Sequence, residues 1–566
     1  MFTQKQQKRF SWLGVLASCA LAAATFTSNH SSIEWRRCDD IHELFEKIGQ
    51  KVFVPIECGN VTVPLDYSEP NSTATLDLKV IKVKAVKQPS KGNVVMHFGG
   101  PTDSGRLTMA SLSETMQLIT GQGFDLIGWE QRSVYNLTHL SHAIVILNLS
   151  DETYRGTWGT LPLFCSDRSQ NRTVTDVPQV NMAVLPEDRM NVGRNWAFAE
   201  VEAQKCYDYA KDKGGELVGT MYTARDVWEI VNALGGDRLL RFWGISYGTV
   251  VGSTVAALHP DRVERLVLDG VTNPQQWWAG ETWEMLTDTD KVFSGFLRTC
   301  FEKPETCALA AQNPNTTAAQ IESKIYDMID SLKYRPLPVQ SSEAIPNGII
   351  DHNLVKGVIR MGLYSPSTYP ALAARLQLLL DRDIDTLLEG YSASWPTDSL
   401  GDIGLTIPCS DSTLRVDNLE DIMPELQRAA EMSRLAGDLL SWNTHMCARW
   451  KLNSKEKFTR GFHEPIDTKS PLLIFGNEYD VVTPYVSAKN ISTSFPGSSL
   501  VKYNAFGHGI QAQPSLCIVN TMQQYLEEGI LPAENTLCEP AAHVFESQDW
   551  ATLWPELGYQ RPNSTA

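Results

Sequence analysis

A serine flanked by two glycines is the first feature of this sequence that could carry out covalent chemistry. Ser246 lies in the run Gly244-Ile245-Ser246-Tyr247-Gly248, between a predicted strand and a predicted helix. Flanking glycines permit the sharp turn that exposes a serine hydroxyl at the end of a strand. An ordinary strand-to-helix loop can match the motif by chance, so the motif alone is only suggestive. Its position favours acyl transfer through Ser246.

Two residues further along the chain could activate that serine. A serine hydroxyl is a weak nucleophile and needs a base that a third group orients. Asp480 follows the predicted strand that ends at Gly476, and His508 follows the last predicted strand. The order serine, aspartate, histidine is one in which such triads occur. The sequence therefore predicts Ser246, Asp480 and His508 as a catalytic triad.

Other acids and bases compete for these roles. Glu478 is a rival acid two residues before Asp480. The rival bases are three histidines, His97, His445 and His463. None of them combines a position at a strand end with the required order, so the joint placement favours the triad above.

Negative charge that develops on a substrate oxygen requires preorganised hydrogen-bond donors. One predicted donor is the backbone N–H of Tyr247, the residue after the nucleophile. The other should come from the turn His97-Phe98-Gly99-Gly100-Pro101, and we favour the amide of Gly100. The alternative is that this turn only ends a strand.

Strand and helix patterns alternate around these residues. Apolar or β-branched runs predict strands over 61–65, 76–83, 93–97, 124–128, 239–243, 265–269, 471–476 and 499–503. Apolar spacing predicts helices over 224–234 and from the serine turn to about residue 257. Repeated strand and helix units predict an α/β fold with a mostly parallel central sheet and helices on both faces.

Helical patterns replace strand patterns between about residues 273 and 458, with long helices predicted over 369–388 and 419–440. A long segment separates Ser246 from Asp480, and this spacing places the interruption of the strand pattern in the same region. We therefore predict four regions along the chain: a signal peptide over 1–24, a first part of the core over 35–272, a helical lid insertion over 273–458, and a second part of the core over 459–566.

The N-terminal residues predict secretion. Lys5, Lys8 and Arg9 precede an apolar run from Phe10 to about Ala24, as in a secretory signal peptide. A membrane anchor is the alternative, but the run is shorter than the roughly 20 apolar residues that a span needs. We expect no stable membrane insertion after cleavage.

The chain is acidic, with a formal net charge of -17 at pH 7. A polyanion is a poor partner for nucleic acid, so the expected partner is a peptide or small-molecule substrate. The proposed chemistry requires no metal or organic cofactor, and no Cys-x-x-Cys pair supports a zinc site.

Of the 11 cysteines, Cys19 lies in the predicted signal peptide. The even number that remains suggests disulfides in a secreted chain, although sequence cannot prove a connectivity. We predict that nearest neighbours pair in order: Cys38–Cys58, Cys165–Cys206, Cys300–Cys307, Cys409–Cys447 and Cys517–Cys538.

Asn-x-Ser/Thr sequons also fit secretion, because several should carry glycans in a secreted eukaryotic chain. The candidate glycosylation sites are Asn60, Asn71, Asn136, Asn148, Asn171, Asn315, Asn490 and Asn563.

Taken together, these motifs make the chain resemble the secreted tripeptidyl aminopeptidase and proline iminopeptidase family of α/β-hydrolases, in its fungal and actinobacterial branch. The likeness covers nearly the whole mature chain, including 97–105, 244–270 and 480–484, and a C-terminal segment over 517–538 that looks like the family's TAP-like tail. The resemblance implies the α/β-hydrolase fold. It also implies release of short peptides or single residues from free N-termini, through an acyl-enzyme on Ser246.

Enzymes of this family use lid carboxylates to hold the substrate's ammonium group. The candidates in this sequence are Glu281 and Glu284. A solvated helix start explains them as well, because acidic residues suit the first turn of a helix.

Two turns depart from the family pattern. Thr102, Ser133 and Tyr135 stand where relatives have glycine. A reshaped turn would suit a different acyl group, so the alternative is an esterase, lactonase or amide hydrolase that acts on a secondary metabolite. A third hypothesis is a non-catalytic binding protein on the same fold, and the intact predicted triad argues against it.

Overall fold

The structure is a computed structural model that describes residues 32–101, 103–132, 161, 165, 184–339, 348–389, 400–546 and 549–559. The predicted signal peptide and several other predicted features lie outside the described residues: Thr102, Ser133, Tyr135, Asn136, Asn148, Asn171 and Asn563. In the part of the chain that is described, no helix is long and apolar enough to cross a membrane.

Twelve strands are described. In chain order they are β1 (Arg36–Arg37), β2 (Ile56–Pro64), β3 (Thr75–Val83), β4 (Asn93–His97), β5 (Asp125–Trp129), β6 (Leu240–Ile245), β7 (Val263–Asp269), β8 (Leu337–Val339), β9 (Gly348–Ile350), β10 (Leu473–Tyr479), β11 (Ser499–Phe506) and β12 (Leu537–Cys538). Ten of them form one sheet in the order β1-β2-β3-β5-β4-β6-β7-β10-β11-β12. Antiparallel pairing joins β1, β2, β3 and β5, and the pairs from β5 to β12 are parallel.

Helices cover both faces of this sheet. The described α-helices are Asp39–Lys47, Gly105–Ile119, Arg189–Ala210, Thr220–Leu234, Tyr247–Leu258, Pro274–Ala279, Thr289–Glu302, Ala308–Gln312, Ala318–Leu332, His352–Gly362, Tyr369–Asp381, Ile384–Glu389, Leu400–Asp411, Met423–Met432, Ser441–Arg449, Tyr485–Ser492, Leu516–Glu528 and Trp554–Leu557. The described 3-10 turns are Pro260–Arg262, Trp283–Leu286, Pro366–Thr368, Leu419–Asp421, Ile510–Ala512 and Trp550–Leu553.

Two apolar cores lie on the two faces of the sheet. Successive strand residues point to opposite faces, so Phe242 packs in one core and Trp243 in the other, both fully buried. Parallel strands covered on both faces are apolar throughout, which explains why the predicted strands read as short continuous apolar runs. The predicted α/β-hydrolase fold, with its mostly parallel sheet, is confirmed.

The first long helix predicted in the insertion is broken. The prediction covers 369–388, but the helix ends at Asp381 and another begins at Ile384. Arg382 between them adopts a left-handed backbone with φ 57°. Apolar spacing continues through this position, so periodicity could not show the break.

The second long helix, predicted over 419–440, is also wrong in extent. Its regular part ends at Met432, and Ser433 has extended backbone. The side chain of Asp290, from another helix, accepts hydrogen bonds from the hydroxyl of Ser433 (2.7 Å) and from the amide of Leu435 (3.0 Å). These long-range bonds fix the chain just after the helix in a non-helical path, and no local pattern could predict them.

The helix Arg189–Ala210 packs against the insertion, although the prediction assigned it to the first part of the core. Its Glu200 accepts hydrogen bonds from Arg449 (2.6 Å) and Lys451 (2.6 Å). The insertion also contains the small antiparallel sheet of β8 and β9, which the helical prediction did not include. Two separate chain segments therefore build the helical layer.

The described cysteines form the five pairs that the sequence predicted. Cys38–Cys58 joins the N-terminal helix to β2, and Cys517–Cys538 joins the helix Leu516–Glu528 to β12. Two other pairs lie within the insertion, so the disulfides tie both the core and the helical layer.

Four of the predicted glycosylation sites lie in the described residues. Asn60, Asn71 and Asn315 are exposed. Asn490 is half-buried, and its amide nitrogen donates a hydrogen bond to Glu284 (2.7 Å). The contact leaves Asn490 less accessible than the other three.

Candidate active site

Ser246 occupies the turn between β6 and the helix Tyr247–Leu258. Its backbone has φ 58° and ψ -127°, a strained conformation for a residue with a side chain. Its amide donates to the carbonyl of Asp269 (3.0 Å), and its carbonyl accepts from the amide of Thr249 (2.8 Å). These bonds impose the turn, so the strain is held by the neighbouring strand and helix.

The two glycines of the motif are required by close backbone contacts. A Cβ atom on Gly244 would lie 2.2 Å from the carbonyl oxygen of Gly248. A Cβ atom on Gly248 would lie 2.3 Å from the carbonyl oxygen of His97. No side chain fits at either position, which explains the glycine spacing around Ser246.

Asp480 and His508 follow the adjacent parallel strands β10 and β11. The imidazole Nδ1 of His508 lies 2.9 Å from Oδ2 and 3.1 Å from Oδ1 of Asp480. Asp480 is fully buried and also accepts hydrogen bonds from the amides of Val482 (2.9 Å), Thr483 (2.9 Å) and Gly509 (3.2 Å). These donors fix the carboxylate, and the carboxylate fixes the ring.

Burial and charge act in opposite directions on this pair. Burial tends to raise the pKa of Asp480, but the charge of His508 and hydrogen bonds from His508 and Thr483 outweigh it, and the pKa is lowered. Burial tends to lower the pKa of His508, but the charge of Asp480 and its hydrogen bond outweigh it, and the pKa is raised. The arrangement therefore keeps Asp480 ionised and stabilises an imidazolium at His508.

Thr483 is a third member of this cluster, and it was not predicted from the sequence. Its hydroxyl donates to Oδ2 of Asp480 (2.6 Å) and lies 3.0 Å from Nδ1 of His508. The only sequence signal is a threonine three residues after the predicted acid, and such a threonine is not distinctive. With the imidazole and the amide of Gly509, the hydroxyl is the third partner of Oδ2 of Asp480.

The end of β7 lies between the turn of Ser246 and the loop of His508. The carbonyl of Asp269 accepts the amide of Ser246, as described above. The next residue is Gly270, and a Cβ atom there would lie 3.4 Å from Cε1 of His508. The three predicted triad residues thus follow the carboxyl ends of strands β6, β10 and β11, with β7 between β6 and β10, and the structure brings Asp480 and His508 into direct contact.

The side chain of Asp269 makes a second link between these turns. Its Oδ1 accepts the amide of Ile510 (2.9 Å), and its Oδ2 accepts the indole N–H of Trp243 (3.3 Å). Burial raises the pKa of Asp269 to about 7, against the effect of the Ile510 amide and of the charge on His508. Asp269 therefore joins the histidine loop to the strand that carries the serine.

The turn after β4 lies directly on the nucleophile. A Cβ atom on Gly99 would lie 2.7 Å from Cβ of Ser246. The amide of Gly99 donates to Nδ1 of His97 (3.1 Å). Gly100 is exposed, and within the described residues its amide donates no hydrogen bond. Tyr247 begins a helix, so its amide has no acceptor in that helix. Both donors stay predictions that this geometry allows.

His97, one of the rival bases, supports the turn after β4. Its Nδ1 accepts the amide of Gly99, so its Nε2 carries the proton and donates to the side-chain oxygen of Gln131 (2.9 Å). The amide nitrogen of Gln131 donates in turn to the carbonyl of Pro101. Burial lowers the pKa of His97 to about 4, so the ring is neutral in this network.

The other rivals lie elsewhere. Glu478 forms surface ion pairs with Lys291 (2.7 Å) and Lys502 (2.6 Å). His445 is buried, and its Nδ1 bonds to a carbonyl of its own helix (2.7 Å). His463 is exposed. None of them contacts the cluster around Asp480.

The second turn that departs from the family pattern comes directly after residues with structural contacts. Arg132 forms a fully buried ion pair with Asp226 (2.8 Å). Glu130 accepts the hydroxyl of Ser104, and burial raises the pKa of Glu130 to about 7. Glu130 thus joins the turns after β4 and β5, and Arg132 joins the turn after β5 to the helix Thr220–Leu234, so the described part of this motif has structural contacts.

Glu284, a predicted ammonium ligand, is buried in its own hydrogen-bond network. It accepts bonds from Asn273 (2.9 Å), Ser487 (2.7 Å) and Asn490 (2.7 Å). Both of its oxygens are occupied, and the network explains why a carboxylate lies here. The predicted role in substrate binding stays a prediction without support from these contacts.

Glu281, the other predicted ammonium ligand, is exposed. Its carboxylate accepts the indole N–H of Trp283 (3.1 Å). Glu425 lies close by and accepts the amide of Thr282 (3.3 Å). Burial raises the pKa of Glu425, and the negative charge of Glu281 adds to that shift. The sequence reading did not single out Glu425, because it lies on a different helix of the insertion.

The insertion contacts His508 of the predicted triad and, through Thr220, reaches the side chain of Tyr247, the residue after Ser246. On one side, Asp411 accepts the hydroxyl of Thr220 (2.6 Å), and that hydroxyl is 2.8 Å from the hydroxyl of Tyr247. On the other side, the carbonyl of Tyr364 accepts the amide of His508 (2.8 Å). The helical layer is therefore part of the site.

Family models match two segments of the chain. Residues 194–311, which contain Ser246, match the model described as alpha/beta hydrolase fold. Residues 433–538, which contain Asp480 and His508, match the model described as TAP-like protein. The two matches lie on either side of most of the insertion.

Curated relatives match most of the chain. Serine protease Hip1 of Mycobacterium tuberculosis is 25% identical over 523 residues, which cover 89% of this chain and 91% of that protein. Tripeptidyl aminopeptidase of Streptomyces lividans is 23% identical over 562 residues, which cover 94% of this chain and 91% of that protein.

Proposed function

We propose that this serine hydrolase, an α/β-hydrolase with a TAP-like C-terminal segment, is a secreted aminopeptidase that releases short peptides or single residues from free N-termini. The observation that carries the proposal is the His508–Asp480 pair, at 2.9 Å, beside the strained turn of Ser246. The relatives named tripeptidyl aminopeptidase and serine protease support a peptide substrate.

Acylation begins at Ser246. His508 accepts the proton of the serine hydroxyl as the oxygen attacks the substrate carbonyl, and Asp480 stabilises the imidazolium that forms. The same proton then passes from His508 to the leaving amine. A water molecule activated by His508 hydrolyses the acyl-enzyme and restores the free serine.

The tetrahedral intermediate carries negative charge on the former carbonyl oxygen. The amides of Tyr247 and Gly100 are the donors proposed to stabilise it. The packing of Gly99 on Cβ of Ser246 supports this assignment, because it holds the turn of Gly100 beside the nucleophile. Loss of one such donor typically slows turnover by about 10²- to 10³-fold.

Selection of free N-termini requires a negative group that pairs with the substrate ammonium. Glu281 is the proposed ligand, because it is exposed and lies next to a second carboxylate, Glu425. The predicted partner Glu284 is already bonded on both oxygens. The ammonium is therefore assigned to Glu281 with Glu425 beside it.

Secretion is supported by the five disulfides, which persist in oxidising compartments. The alternative substrates considered from the sequence, esters or lactones of a secondary metabolite, are not favoured, because the relatives described above are named as peptidases.

The test compares tripeptidyl amides that have a free or an acetylated N-terminus, with simple esters in parallel. The proposal requires cleavage of the free-amine substrate, loss of that cleavage on acetylation, and loss of activity in Ser246→Ala. Glu281→Gln should raise KM for the free amine with little change in kcat, and Glu305→Gln, at an exposed position, is the matched control. Cleavage of esters alone would overturn the peptidase assignment.

A further inference from the structure

One face of the helix His352–Gly362 runs from the interior of the insertion to the candidate active site. Lys356, Arg360 and Tyr364 are spaced four residues apart, so they lie along the same side of the helix and its continuation. Lys356 is buried and paired with the buried carboxylate of Asp438, at 2.8 Å to each oxygen. This side of the helix therefore faces inward.

The far end of this face contacts the proposed catalytic base. The ring of Tyr364 lies edge-on to the imidazole of His508, with 5.4 Å between ring centroids and 71° between planes. The carbonyl of Tyr364 also accepts the amide of His508 (2.8 Å). Tyr364 thus forms the wall of the site beside the imidazole.

Arg360 lies one helical turn before that wall. Its guanidinium carbon is 5.8 Å from the centroid of the Tyr364 ring. Burial and the charge of Arg360 both act to lower the pKa of His508, against the larger effect of Asp480, so the cation is within electrostatic reach of the imidazole. The guanidinium therefore lies beside Tyr364, the residue whose ring contacts the imidazole of His508.

Among the described residues, Arg360 has the side chain of Tyr364 as a neighbour but no carboxylate as an ion-pair partner. Lys356, on the same face, has Asp438, whereas no carboxylate among the described residues forms an ion pair with Arg360. The Nε atom of Arg360 is buried and has no hydrogen-bond partner in the described residues. A half-buried guanidinium with an unused N–H is a ready ligand for a carboxylate, which it can bind through two parallel bonds.

We propose that Arg360 binds a carboxylate on the leaving group of the substrate. His508 gives its proton to the leaving group, so residues that contact the imidazole line the leaving-group side of the site. A leaving group of this chemistry is the free C-terminal carboxylate of a short peptide or an acidic side chain next to the cleaved bond. The inference rests on the proposed acyl transfer at Ser246 and adds a preference that the relatives' names do not contain.

The test uses pairs of substrates that differ only in leaving-group charge. One pair is a peptide with a C-terminal carboxylate or a C-terminal carboxamide. The other is an ester of 3-hydroxybenzoate or of 3-hydroxybenzamide. The wild type should favour the charged member of a pair by about tenfold in kcat/KM, a magnitude typical of one charged hydrogen-bonded pair.

Variants assign the preference to Arg360. Arg360→Gln should bring the charged-to-neutral ratio of kcat/KM close to one. For the neutral substrate, kcat/KM should stay within about twofold of wild type, which is the size of effect that loss of a surface charge has. Arg360→Lys should retain part of the ratio. Arg335→Gln removes the same charge from an exposed position of the insertion and should leave the ratio unchanged.

Three results would overturn the proposal: equal loss of both members of a pair in Arg360→Gln, no change in the ratio, or a wild-type preference for the neutral member. The ester pair measures the charged-to-neutral ratio of kcat/KM even if no peptide is cleaved. If neither pair is hydrolysed, acyl transfer itself fails. Binding of the peptide acid and amide to Ser246→Ala, with and without Arg360→Gln, then tests the carboxylate subsite alone, and equal affinity for both peptides would refute it.

Discussion

Ile510 lies two residues beyond His508, and its amide donates a 2.9 Å hydrogen bond to the carboxylate of Asp269. The backbone carbonyl of the same aspartate accepts the amide of Ser246 at 3.0 Å. One residue at the end of β7 therefore fixes the loop of the base and the turn of the nucleophile. The distance between the two reacting groups depends on this residue, although it contacts neither reacting atom.

Asp269→Asn should lower kcat/KM by about tenfold, because one hydrogen bond of the side chain is lost. Asp269→Ala should lower it by about a hundredfold, because all of the side-chain hydrogen bonds are lost. The negative charge of Asp269 contributes to the raised pKa of His508. The acidic limb of the kcat/KM profile should therefore move to lower pH in Asp269→Asn. Wild-type rates and an unmoved limb would show that the residue does not position His508.

The hydroxyl of Thr483 should matter more than its volume. Thr483→Val keeps the shape but removes the bond to Oδ2 of Asp480, and Thr483→Ser keeps the bond. Loss of a hydrogen bond to a buried charge should lower kcat/KM by about ten- to a hundredfold in the valine variant. The serine variant should stay near wild type. Equal losses in both would point to packing instead.

The pH dependence follows from the sign of the shift on His508. The base acts in its neutral form, and its pKa is raised above the ordinary 6.5. Activity should therefore fall as the pH drops through a value above 6.5, measured as kcat/KM of the free enzyme. Asp480→Asn should move this limb downward and reduce turnover by about 10⁴-fold. A wild-type limb well below 6.5 would contradict the assignment.

Buried carboxyl groups should make the fold more stable in mild acid. The pKa of Glu130 is raised by burial from 4.5 to about 7, so the folded state keeps a proton that the unfolded state has lost. This contribution is complete below pH 4.5 and is lost as the pH rises to about 7, by on the order of 3 kcal/mol.

Glu130→Gln should remove that dependence. Relative to wild type, its free energy of unfolding by denaturant should increase between pH 5 and pH 8. Glu305→Gln, at an exposed position, is the control and should follow the wild-type slope. A parallel slope for Glu130→Gln would mean that the carboxyl is ionised in the folded state.

The fold was predictable because its signals are local. Short apolar runs alternate with helical spacing, and both report burial on the two faces of a parallel sheet. The broken helices were not predictable, because at one of them Asp290, from another part of the chain, bonds the residues that follow the helix. The packing of the helix Arg189–Ala210 on the insertion was missed for the same reason.

The candidate site also contains some residues that the sequence could predict and others that it could not. The sequence order and strand ends predict Ser246, Asp480 and His508 as the triad, and the structure places His508 in contact with Asp480. Thr483, Asp269 and Arg360 act through contacts between distant segments, and their residue types occur throughout the chain. The role predicted for Glu284 stays a prediction, and the three side chains that bond its carboxylate come from positions that the sequence could not place.

Covalent labelling of the mature protein with a fluorophosphonate tests the central claim most directly. Such a reagent reacts with a serine that a histidine activates, and peptide mass mapping identifies the labelled residue. We expect one adduct per chain on Ser246, none in Ser246→Ala, and labelling slowed by orders of magnitude in His508→Ala. An adduct on another residue, or undiminished labelling of Ser246→Ala, would contradict it.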